Sequence, residues 1–461
     1  MRLLMLSSRG PYGYRDGGWQ PSVGGLTAAL DPVMRKRGGT WLSQGDQLSP
    51  GNHEPHPLMP SGLGYQLRYV QPTPEDRDLA YAGASNGTLW PLCHGFLDRV
   101  TYSTEAWEAY RRVNAQFAQA AAGLHRKDDL VWIHDYQLAL VPGLLRSLMP
   151  SARTGLFWHV PWPSVDMLMT LPWREELLRG VLGADVVGLH TDRDADKLAR
   201  AAEAVLGARI TAHGLHWQGR EVTLLVDPIS VDTAQFDRAR NQDGVIGAAQ
   251  ALRAELGGPL ILSVDRLDYS KGLPQRLLTF ERYLERHPEC HGHLTFMQVA
   301  CPSRDTLNEY QAYRLEVEAL VGRINGRYSS AGWVPVRYLG QQTCKEDLAV
   351  YYRAADVMWV TPLRDGLNLV AKEFVCASED GVLVLSEFAG AASELTEALI
   401  VNPYDEEAMV DTLHLALTLP HQQRLSRIGQ LRAQVESRNV HVWAAHFLNT
   451  LQSDLTTLGV A

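Results

Sequence analysis

The segment DRLDYSKGLPQR places two cations close to a predicted helix start. Arg266 and Lys271 stand in a strand-to-helix turn, and Lys271 with Gly272 lies directly before the helix. Two positive charges and the free backbone NH groups of a helix N-terminus together favour an anion such as a diphosphate. Taken alone, a basic pair in a turn is more often a solvated surface feature than a ligand site. A second segment favours the ligand site.

That second segment is TPLRDGLNLVAKEF, again at a predicted strand-to-helix turn. Asp365 begins a tight turn, and the helix after it opens with Asn368, Leu369 and Val370, whose NH groups can face phosphate. Glu373 lies about one turn into the helix, where its carboxylate can accept hydrogen bonds from both hydroxyls of a ribose. Asp365 can hold sugar hydroxyls or cap the helix. The two segments together predict a site for a diphosphate, a ribose and a sugar.

Polar residues also follow the predicted strands of the first half. Arg9 follows the first strand, Asp135 follows LVWIH, His159 follows GLFW and His190 follows ADVVGL; in the second half, Arg304 follows FMQVACPS. Ligands of open parallel sheets bind at the carboxyl ends of the strands. We therefore expect two sets of strand ends that face each other across a polar cleft.

The remaining motifs are weaker evidence for a ligand or metal site. The glycine pair in SVGGL, which includes Gly25, permits close backbone approach to a ligand or forms a simple turn. The chain has no P-loop and no GxGxxG pattern, which disfavours a kinase-type or nicotinamide site. No metal site is predicted, because the histidines and cysteine of HPECHGH lack a recognised ligand spacing, as do His53 and His56. The HPECHGH group comprises His287, Cys290, His291 and His293.

The composition is that of a folded, enzyme-sized protein. A chain of 461 residues exceeds what one hydrophobic core normally serves, so two domains of roughly 200 residues each are expected. The net charge of −9 disfavours a nucleic-acid partner. No apolar run approaches the length of a membrane span, and the first residues do not resemble a signal peptide, so a cytoplasmic protein is expected. The five cysteines are scattered without a CxxC pair and are expected to be reduced.

Apolar runs rich in Val, Ile and Leu alternate with segments of helical periodicity, which is typical of a parallel sheet covered by helices. The pattern predicts an α/β protein with two doubly wound, Rossmann-like domains, at 1–230 and 231–461. A final helix is predicted from Val440 to Leu458. The sequence does not indicate whether it packs on the first or the second domain. The predicted strands are 3–6, 130–133, 155–158 and 185–189 in the first half, and 260–264, 294–299, 334–339, 357–360, 382–385 and 399–401 in the second.

Several long motifs in the same order resemble the trehalose-6-phosphate synthase family. They are VWIHDYQL, WHVPWPS, LGADVVGLHT, DRLDYSKGLP, GRINGRY, VTPLRDGLNLVAKE and LVLSEFAGAASEL, and the similarity covers nearly the whole chain. The resemblance implies a GT-B fold and transfer of glucose, with retention, from a nucleotide-glucose to glucose 6-phosphate. It also implies front-face attack without a covalent enzyme intermediate and without a metal or other cofactor.

The resemblance implies roles for individual residues. Gly25, Arg266, Lys271 and the backbone of Asn368, Leu369 and Val370 would bind the donor diphosphate, with Glu373 on the ribose and Thr343 and Leu348 at the base. His159 and Asp365 would hold the donor glucose. Arg9, Tyr81, Trp90 and Arg304 would bind the acceptor phosphate, with Asp135 and Trp41 at the acceptor sugar. The catalytic set would comprise His159, Asp135, Arg266, Lys271 and Asp365.

The chain departs from the family pattern at two positions. Gln44 stands where many members have a second tryptophan shortly after the one matched by Trp41. Thr343 stands where many members have phenylalanine, and the smaller side chain leaves volume for a purine, which favours GDP-glucose over UDP-glucose. The alternatives are a transferase acting on another phosphorylated acceptor, such as glycerol phosphate or a cyclitol phosphate, and a non-catalytic nucleotide-sugar sensor. Neither a nucleic acid nor a membrane is an expected partner, and a homo-oligomer is left open.

Overall fold

A computed structural model describes residues 2–15, 18–22, 24–45, 62–304 and 308–453. The chain divides into two compact units: unit 1 comprises Met1–Ile229 and Val440–Ala461, and unit 2 comprises Ser230–Asn439. The predicted second domain, 231–461, is therefore too long, because the chain returns to unit 1 at Val440.

Unit 1 is built on a sheet of nine strands in the order β5-β4-β1-β6-β7-β8-β11-β10-β9, as far as the structure describes it. The sheet is parallel from β5 to β11, and β10 runs antiparallel to both of its neighbours. A separate antiparallel hairpin, β2–β3, lies outside this sheet. The strands are β1 (Leu3–Arg9), β2 (Tyr12–Arg15), β3 (Gly18–Pro21), β4 (Thr40–Gln44), β5 (Gln66–Val70), β6 (Leu130–His134), β7 (Arg153–Phe157), β8 (Val186–Leu189), β9 (Arg209–Thr211), β10 (Gly214–Trp217) and β11 (Arg220–Val226).

Helices connect the parallel strands of unit 1. The α-helices are α1 (Gly25–Arg37), α2 (Pro74–Asp78), α3 (Trp90–His94), α4 (Thr104–Leu124), α5 (Val141–Leu148), α6 (Val165–Met169), α7 (Arg174–Val181) and α8 (Asp192–Leu206). A π-helix, Leu79–Leu89, joins α2 to α3. Several of these helices begin at a capping side chain, as α4 does at Ser103, whose hydroxyl accepts from the NH of Ala106.

Unit 2 contains a six-stranded parallel sheet in the order β14-β13-β12-β15-β16-β17. Its strands are β12 (Leu260–Arg266), β13 (Thr295–Cys301), β14 (Val336–Leu339), β15 (Val357–Val360), β16 (Val382–Ser386) and β17 (Leu399–Val401). Its helices are α9 (Thr233–Arg240), α10 (Asp243–Leu256), α11 (Leu273–Arg286), α12 (Asn308–Tyr328), α13 (Lys345–Ala354), α14 (Leu369–Ala377), α15 (Glu406–Thr418) and α16 (His421–Ser437).

Each predicted strand is present, β15 and β17 with the predicted bounds and the others with shifted ends, which confirms the doubly wound α/β class. β6 is buried at all five positions, and a continuous apolar run is the expected signature of a strand covered on both faces. Strands that lack such a run, including β4 (TWLSQ) and the β2–β3 hairpin, were not predicted from the sequence. No helix among the described residues is long and apolar enough to span a bilayer.

The last helix, α17 (Val440–Gln452), packs on β6, β7 and β8 of unit 1. Phe447 is fully buried and its ring stacks 5.0 Å from that of Trp132. Two strand glycines make room for it: a Cβ at Gly155 would lie 2.7 Å from the Phe447 ring, and one at Gly188 would lie 2.9 Å from it. Trp443 also anchors the helix, because its Nε1 donates to the carbonyl of Asp227 at 3.0 Å.

We expect Phe447→Ala to destabilise unit 1 by about 3–5 kcal/mol, since it removes a fully buried aromatic ring and leaves a cavity. Urea unfolding measures the change. Val442→Ala on the same helix is the control, because Val442 is 47% exposed and its truncation should cost little. Equal effects of the two substitutions would contradict the packing of α17 described here.

Candidate active site

In each unit, the strand order reverses between two neighbouring parallel strands of the described sheet. In unit 1 the reversal lies between β1 and β6, and in unit 2 between β12 and β15. Loops leave these neighbouring strands in opposite directions, so a crevice opens at their carboxyl ends, and ligands of doubly wound folds bind there. Arg9 and Asp135 stand at the reversal point of unit 1, and Lys271 and Asp365 at that of unit 2. The sequence-predicted residues thus concentrate where each fold offers a crevice.

Arg9 and Tyr81 are brought together in unit 1. Nη2 of Arg9 donates to the Tyr81 hydroxyl at 2.7 Å, and the guanidinium carbon lies 5.6 Å from the tyrosine ring centroid. Arg9 ends β1 and is exposed, while Tyr81 comes from the π-helix. Gln44, at the end of β4, pairs with Arg9 across a register shift in the ladder. A cation with a phenol beside it suits a phosphate.

The two tryptophans of the predicted acceptor site are buried. Trp41 is fully buried on β4, and its Nε1 donates to the Ser7 hydroxyl at 2.8 Å. Trp90 is 5% exposed at the start of α3, with its ring centroid 4.0 Å from that of His94. In this structure both indoles shape unit 1 by packing, in contrast to the exposed Arg9.

Asp135 connects the ends of β6 and β7. Its Oδ1 accepts from the backbone NH of Tyr136 at 3.0 Å and from that of His159 at 3.1 Å. Asp135 has φ of 74°, a conformation that costs a non-glycine residue energy and is found preferentially at functional sites. The carboxylate thereby holds His159 at the end of β7.

Three histidines line up across this part of unit 1. His134 Nδ1 lies 3.0 Å from His159 Nε2, and the His159 ring centroid lies 5.4 Å from that of His190. Burial lowers the pKa of His134, and the neighbouring His159 lowers it further. Burial and the neighbouring His190 likewise lower the pKa of His159. Both rings are therefore neutral near pH 7. His134 was not among the predicted site residues, although its place directly before Asp135 at a strand end was a usable signal.

Lys271, Asp365 and Asn368 form one cluster in unit 2. Nζ of Lys271 donates to Oδ2 of Asp365, and the Asn368 side-chain amide donates to the same oxygen at 3.1 Å. The cap of α14 is Asn368, whose Oδ1 accepts from the NH of Ala371 at 3.2 Å. Asp365 is thus held by a cation and an amide, and the capping interpretation considered for it belongs to Asn368.

Arg304 is paired with a carboxylate that the sequence analysis missed. Nη1 of Arg304 donates to Oδ2 of Asp268 at 2.8 Å and also to the hydroxyl of Tyr310. The side chains of Arg304 and Asp268 are 3% and 0% exposed. Burial by itself would raise the pKa of Asp268, but Arg304, Arg266 and Lys271 outweigh it and hold this pKa below the usual range. Asp268 is therefore a buried anion with three cations around it.

The residues predicted to bind ribose and base lie on or beside α13 and α14. Glu373, on α14, is half-buried and accepts a hydrogen bond from the Tyr352 hydroxyl at 2.9 Å. Burial raises the pKa of Glu373, and this hydrogen bond opposes the rise. Thr343 is half-buried in the loop before α13, and Leu348 is half-buried on that helix.

The remaining sequence candidates occupy ordinary positions. Gly25 is the exposed first residue of α1. The His287 ring stacks on His414 with centroids 4.4 Å apart, and Nε2 of His291 is 2.9 Å from the carbonyl of Leu284. Within the described ranges no group of three or more His, Cys, Asp or Glu residues is placed to hold a metal ion. His53 and His56 lie outside the described residues.

The lowered histidine pKa values predict a pH dependence of stability. The unfolded chain binds protons at its histidines below their ordinary pKa of about 6.5, whereas folded His134 and His159 do not, so stability falls as the pH drops from 7 to 5. In His134→Asn, the unfolded chain binds about one proton fewer at low pH. We therefore expect the slope of the free energy of unfolding against pH to fall by about 1.4 kcal/mol per pH unit. Urea unfolding at several pH values measures it, with His213→Asn, at an exposed position, as the control. An unchanged slope in His134→Asn would contradict the assignment.

Comparison with known proteins agrees with this geometry. The family model described as Glycosyltransferase family 20 matches residues 7–453. The trehalose-6-phosphate synthase of Mycobacterium avium is 39% identical over 447 residues, which cover 94% of this chain and 90% of that protein.

Solved structures match over similar lengths. An alpha,alpha-trehalose-phosphate synthase (UDP-forming) from Burkholderia xenovorans in complex with glucose-6-phosphate has a TM-score of 0.90 and 36% identity, covering 98% of this chain and 100% of that one. An E. coli structure, named as trehalose-6-phosphate bound with UDP-2-fluoro glucose, has a TM-score of 0.89 and 34% identity, covering 99% and 100%. The fold is therefore GT-B, and the chain belongs to glycosyltransferase family 20, the retaining glycosyltransferases that include the trehalose-6-phosphate synthases.

Proposed function

We propose that the chain is a trehalose-6-phosphate synthase. It transfers glucose, with retention, from a nucleoside diphosphate glucose to glucose 6-phosphate, giving α,α-trehalose 6-phosphate and the nucleoside diphosphate. The observation that carries the proposal is the cluster at the reversal point of unit 2, where Lys271 meets Asp365 directly before the N-terminus of α14. One cation, one sugar-binding carboxylate and free helix NH groups are what a diphosphate-linked sugar needs.

In the proposed reaction, Arg266, Lys271 and the NH groups at residues 368–370 bind the donor diphosphate. The bond between the anomeric carbon and the diphosphate oxygen breaks while the anomeric hydroxyl of the acceptor attacks the same face of the sugar. The hydroxyl proton passes to the departing diphosphate. Negative charge grows on the diphosphate as the bond breaks, so preorganised cations stabilise the transition state more than the ground state. His159 and Asp365 hold the donor glucose in this scheme.

We assign the acceptor phosphate to Arg9, Tyr81 and Arg304, and the acceptor sugar to Asp135. The Arg9–Tyr81 pair and the oriented guanidinium of Arg304 support this assignment. Because Asp268 and Tyr310 both engage Nη1 of Arg304, its guanidinium is held in one orientation. Trp41 and Trp90 would act on the acceptor through the packing of the residues around them.

We further propose that the reaction needs no metal ion or other cofactor, since Arg266 and Lys271 supply the positive charge. The test of the whole proposal is incubation with glucose 6-phosphate and either UDP-glucose or GDP-glucose, with and without a chelator. NMR of the product identifies the disaccharide phosphate and its α,α linkage. Activity that is lost on chelation and restored by magnesium would contradict the metal-free proposal.

A second acceptor class follows from Gln44, which lies next to Arg9 at the strand ends. If glycerol phosphate or a cyclitol phosphate is glucosylated in place of glucose 6-phosphate, the acceptor assignment is wrong while the transferase class stands. Binding of a nucleotide sugar without any turnover would instead identify a sensor.

Arg304 provides a direct test of acceptor binding. We expect Arg304→Lys to raise the KM for glucose 6-phosphate about tenfold or more and to change the KM for the donor little. The lysine keeps a positive charge beside buried Asp268, but it loses the planar fork that binds phosphate in two places. Steady-state kinetics with each substrate varied measures the effect, with Arg314→Lys, on the exposed Arg314–Glu318 pair of α12, as the control. A loss confined to the donor would contradict the assignment.

The donor base is a finer prediction: we propose a preference for GDP-glucose over UDP-glucose. Thr343 supports it, because a small half-buried side chain leaves volume for a purine and its hydroxyl can meet a polar base edge. The relatives from B. xenovorans and E. coli, which carry UDP in their names, favour the opposite choice. The comparison is kcat/KM for the two donors in the unmodified protein, and we expect Thr343→Phe to lower purine use. A tenfold advantage for UDP-glucose, about 1.4 kcal/mol, would refute the base prediction and leave the synthase proposal intact.

A further inference from the structure

Tyr352 makes a buried contact with the carboxylate proposed to bind ribose. The hydroxyl of Tyr352, on α13, donates to Oε2 of Glu373, on α14, at 2.9 Å. Tyr352 is 1% exposed, and its ring meets the buried ring of Phe374 edge-on with centroids 6.3 Å apart. The phenol is thus locked in place by packing, and Glu373 is the half-buried partner.

The contact engages Oε2 of Glu373, and Oε1 takes no part in it. Oε1 of Glu373 accepts no hydrogen bond from any residue that the structure describes, and the side chain reaches the surface of unit 2. Burial raises the pKa of Glu373, and the Tyr352 hydrogen bond and the positive charge of Lys345 both oppose that rise. Burial also raises the pKa of Tyr352, which therefore keeps its proton and remains a donor.

Tyr352 also links the ribose position to the predicted base position. Leu348 and Tyr352 are four residues apart on α13, so they lie on the same face of that helix. Leu348 is a predicted base contact, and Tyr352 lies one turn further along the helix. A single rigid helix would therefore set the spacing between base and ribose.

We propose that Tyr352 is a positioning residue for ribose recognition, holding Glu373 so that its second oxygen meets the ribose hydroxyls. The inference rests on the proposed function, because it takes Glu373 as the ribose ligand. Tyr352 itself does not touch the ligand. Its loss should therefore weaken only those ligands that carry the hydroxyls Glu373 binds.

The test is calorimetric binding of UDP and GDP, and of their 2′,3′-dideoxy forms, to the whole protein. We expect Tyr352→Phe to raise Kd for the ribonucleotides about tenfold and for the dideoxy forms less than twofold. Tyr351→Phe, which changes the neighbouring half-buried tyrosine that has no hydrogen bond to Glu373, should change neither. Equal losses for both kinds of nucleotide, or no loss at all, would overturn the proposal.

A double-mutant cycle supplies a second readout that a general loss of structure would not imitate. In a Glu373→Ala background, adding Tyr352→Phe should leave Kd for UDP and GDP unchanged, because the positioned group is already absent. Additive losses from the two substitutions would refute the positioning role. If the unmodified protein binds neither UDP nor GDP, the proposed function fails together with this inference. If it binds them and Tyr352→Phe has no effect, only the inference fails.

Discussion

Buried ion pairs hold three cations of unit 2, and the candidate site in that unit depends on them. Lys271 is paired with Asp365, Arg304 with Asp268 and Arg276 with Asp265, and none of these six side chains is more than 13% exposed. Positive charge is costly at the ends of buried parallel strands unless it is neutralised there. Removing one partner from such a pair typically costs about 3–5 kcal/mol, because the other charge is left behind. The carboxylates thus allow these three cations to be buried beside this sheet.

The candidate site residues of unit 1 include fewer buried charges than those of unit 2. The reversal point of unit 1 has one carboxylate, Asp135, which backbone NH groups stabilise on two sides. The histidines behind it are neutral because burial outweighs the tendency of imidazole to take up a proton. Arg9 is the exception, and it is exposed. This difference fits the proposed roles of the two units, since a departing diphosphate gains negative charge as the bond breaks, whereas the acceptor phosphate keeps its charge.

The structure adds to what the family resemblance implies about the tryptophans and Arg304. A motif match assigns Trp41 and Trp90 to a ligand, and the structure adds that both indoles are buried in unit 1. The same match assigns Arg304 to a phosphate without its counter-ion, although Asp268 and Tyr310 hold its guanidinium. A substitution at Arg304 therefore changes a buried pair as well as a binding group. Variants that keep the charge separate these two effects.

The sequence by itself determined the fold class, the predicted strands of both sheets and the positions of the turns that carry Lys271, Asp365 and Asn368. Parallel strands are covered on both faces, so they read as continuous apolar runs, and the polar residues after them mark the binding edge. Strands without a continuous apolar run, including β4, could not be predicted from this pattern.

Only the tertiary structure decided which residues meet. Arg304 and Asp268 are 36 positions apart, Arg9 and Tyr81 are 72 apart, and Lys271 and Asp365 are 94 apart. Hydrophobic periodicity indicates the type and the buried face of each element, but it carries no information about side-chain partners on different elements. The order of strands in the sheet determines which side chains become neighbours. The packing of α17 on unit 1 is likewise a tertiary feature, because Gly155 and Gly188 on separate strands leave space for Phe447.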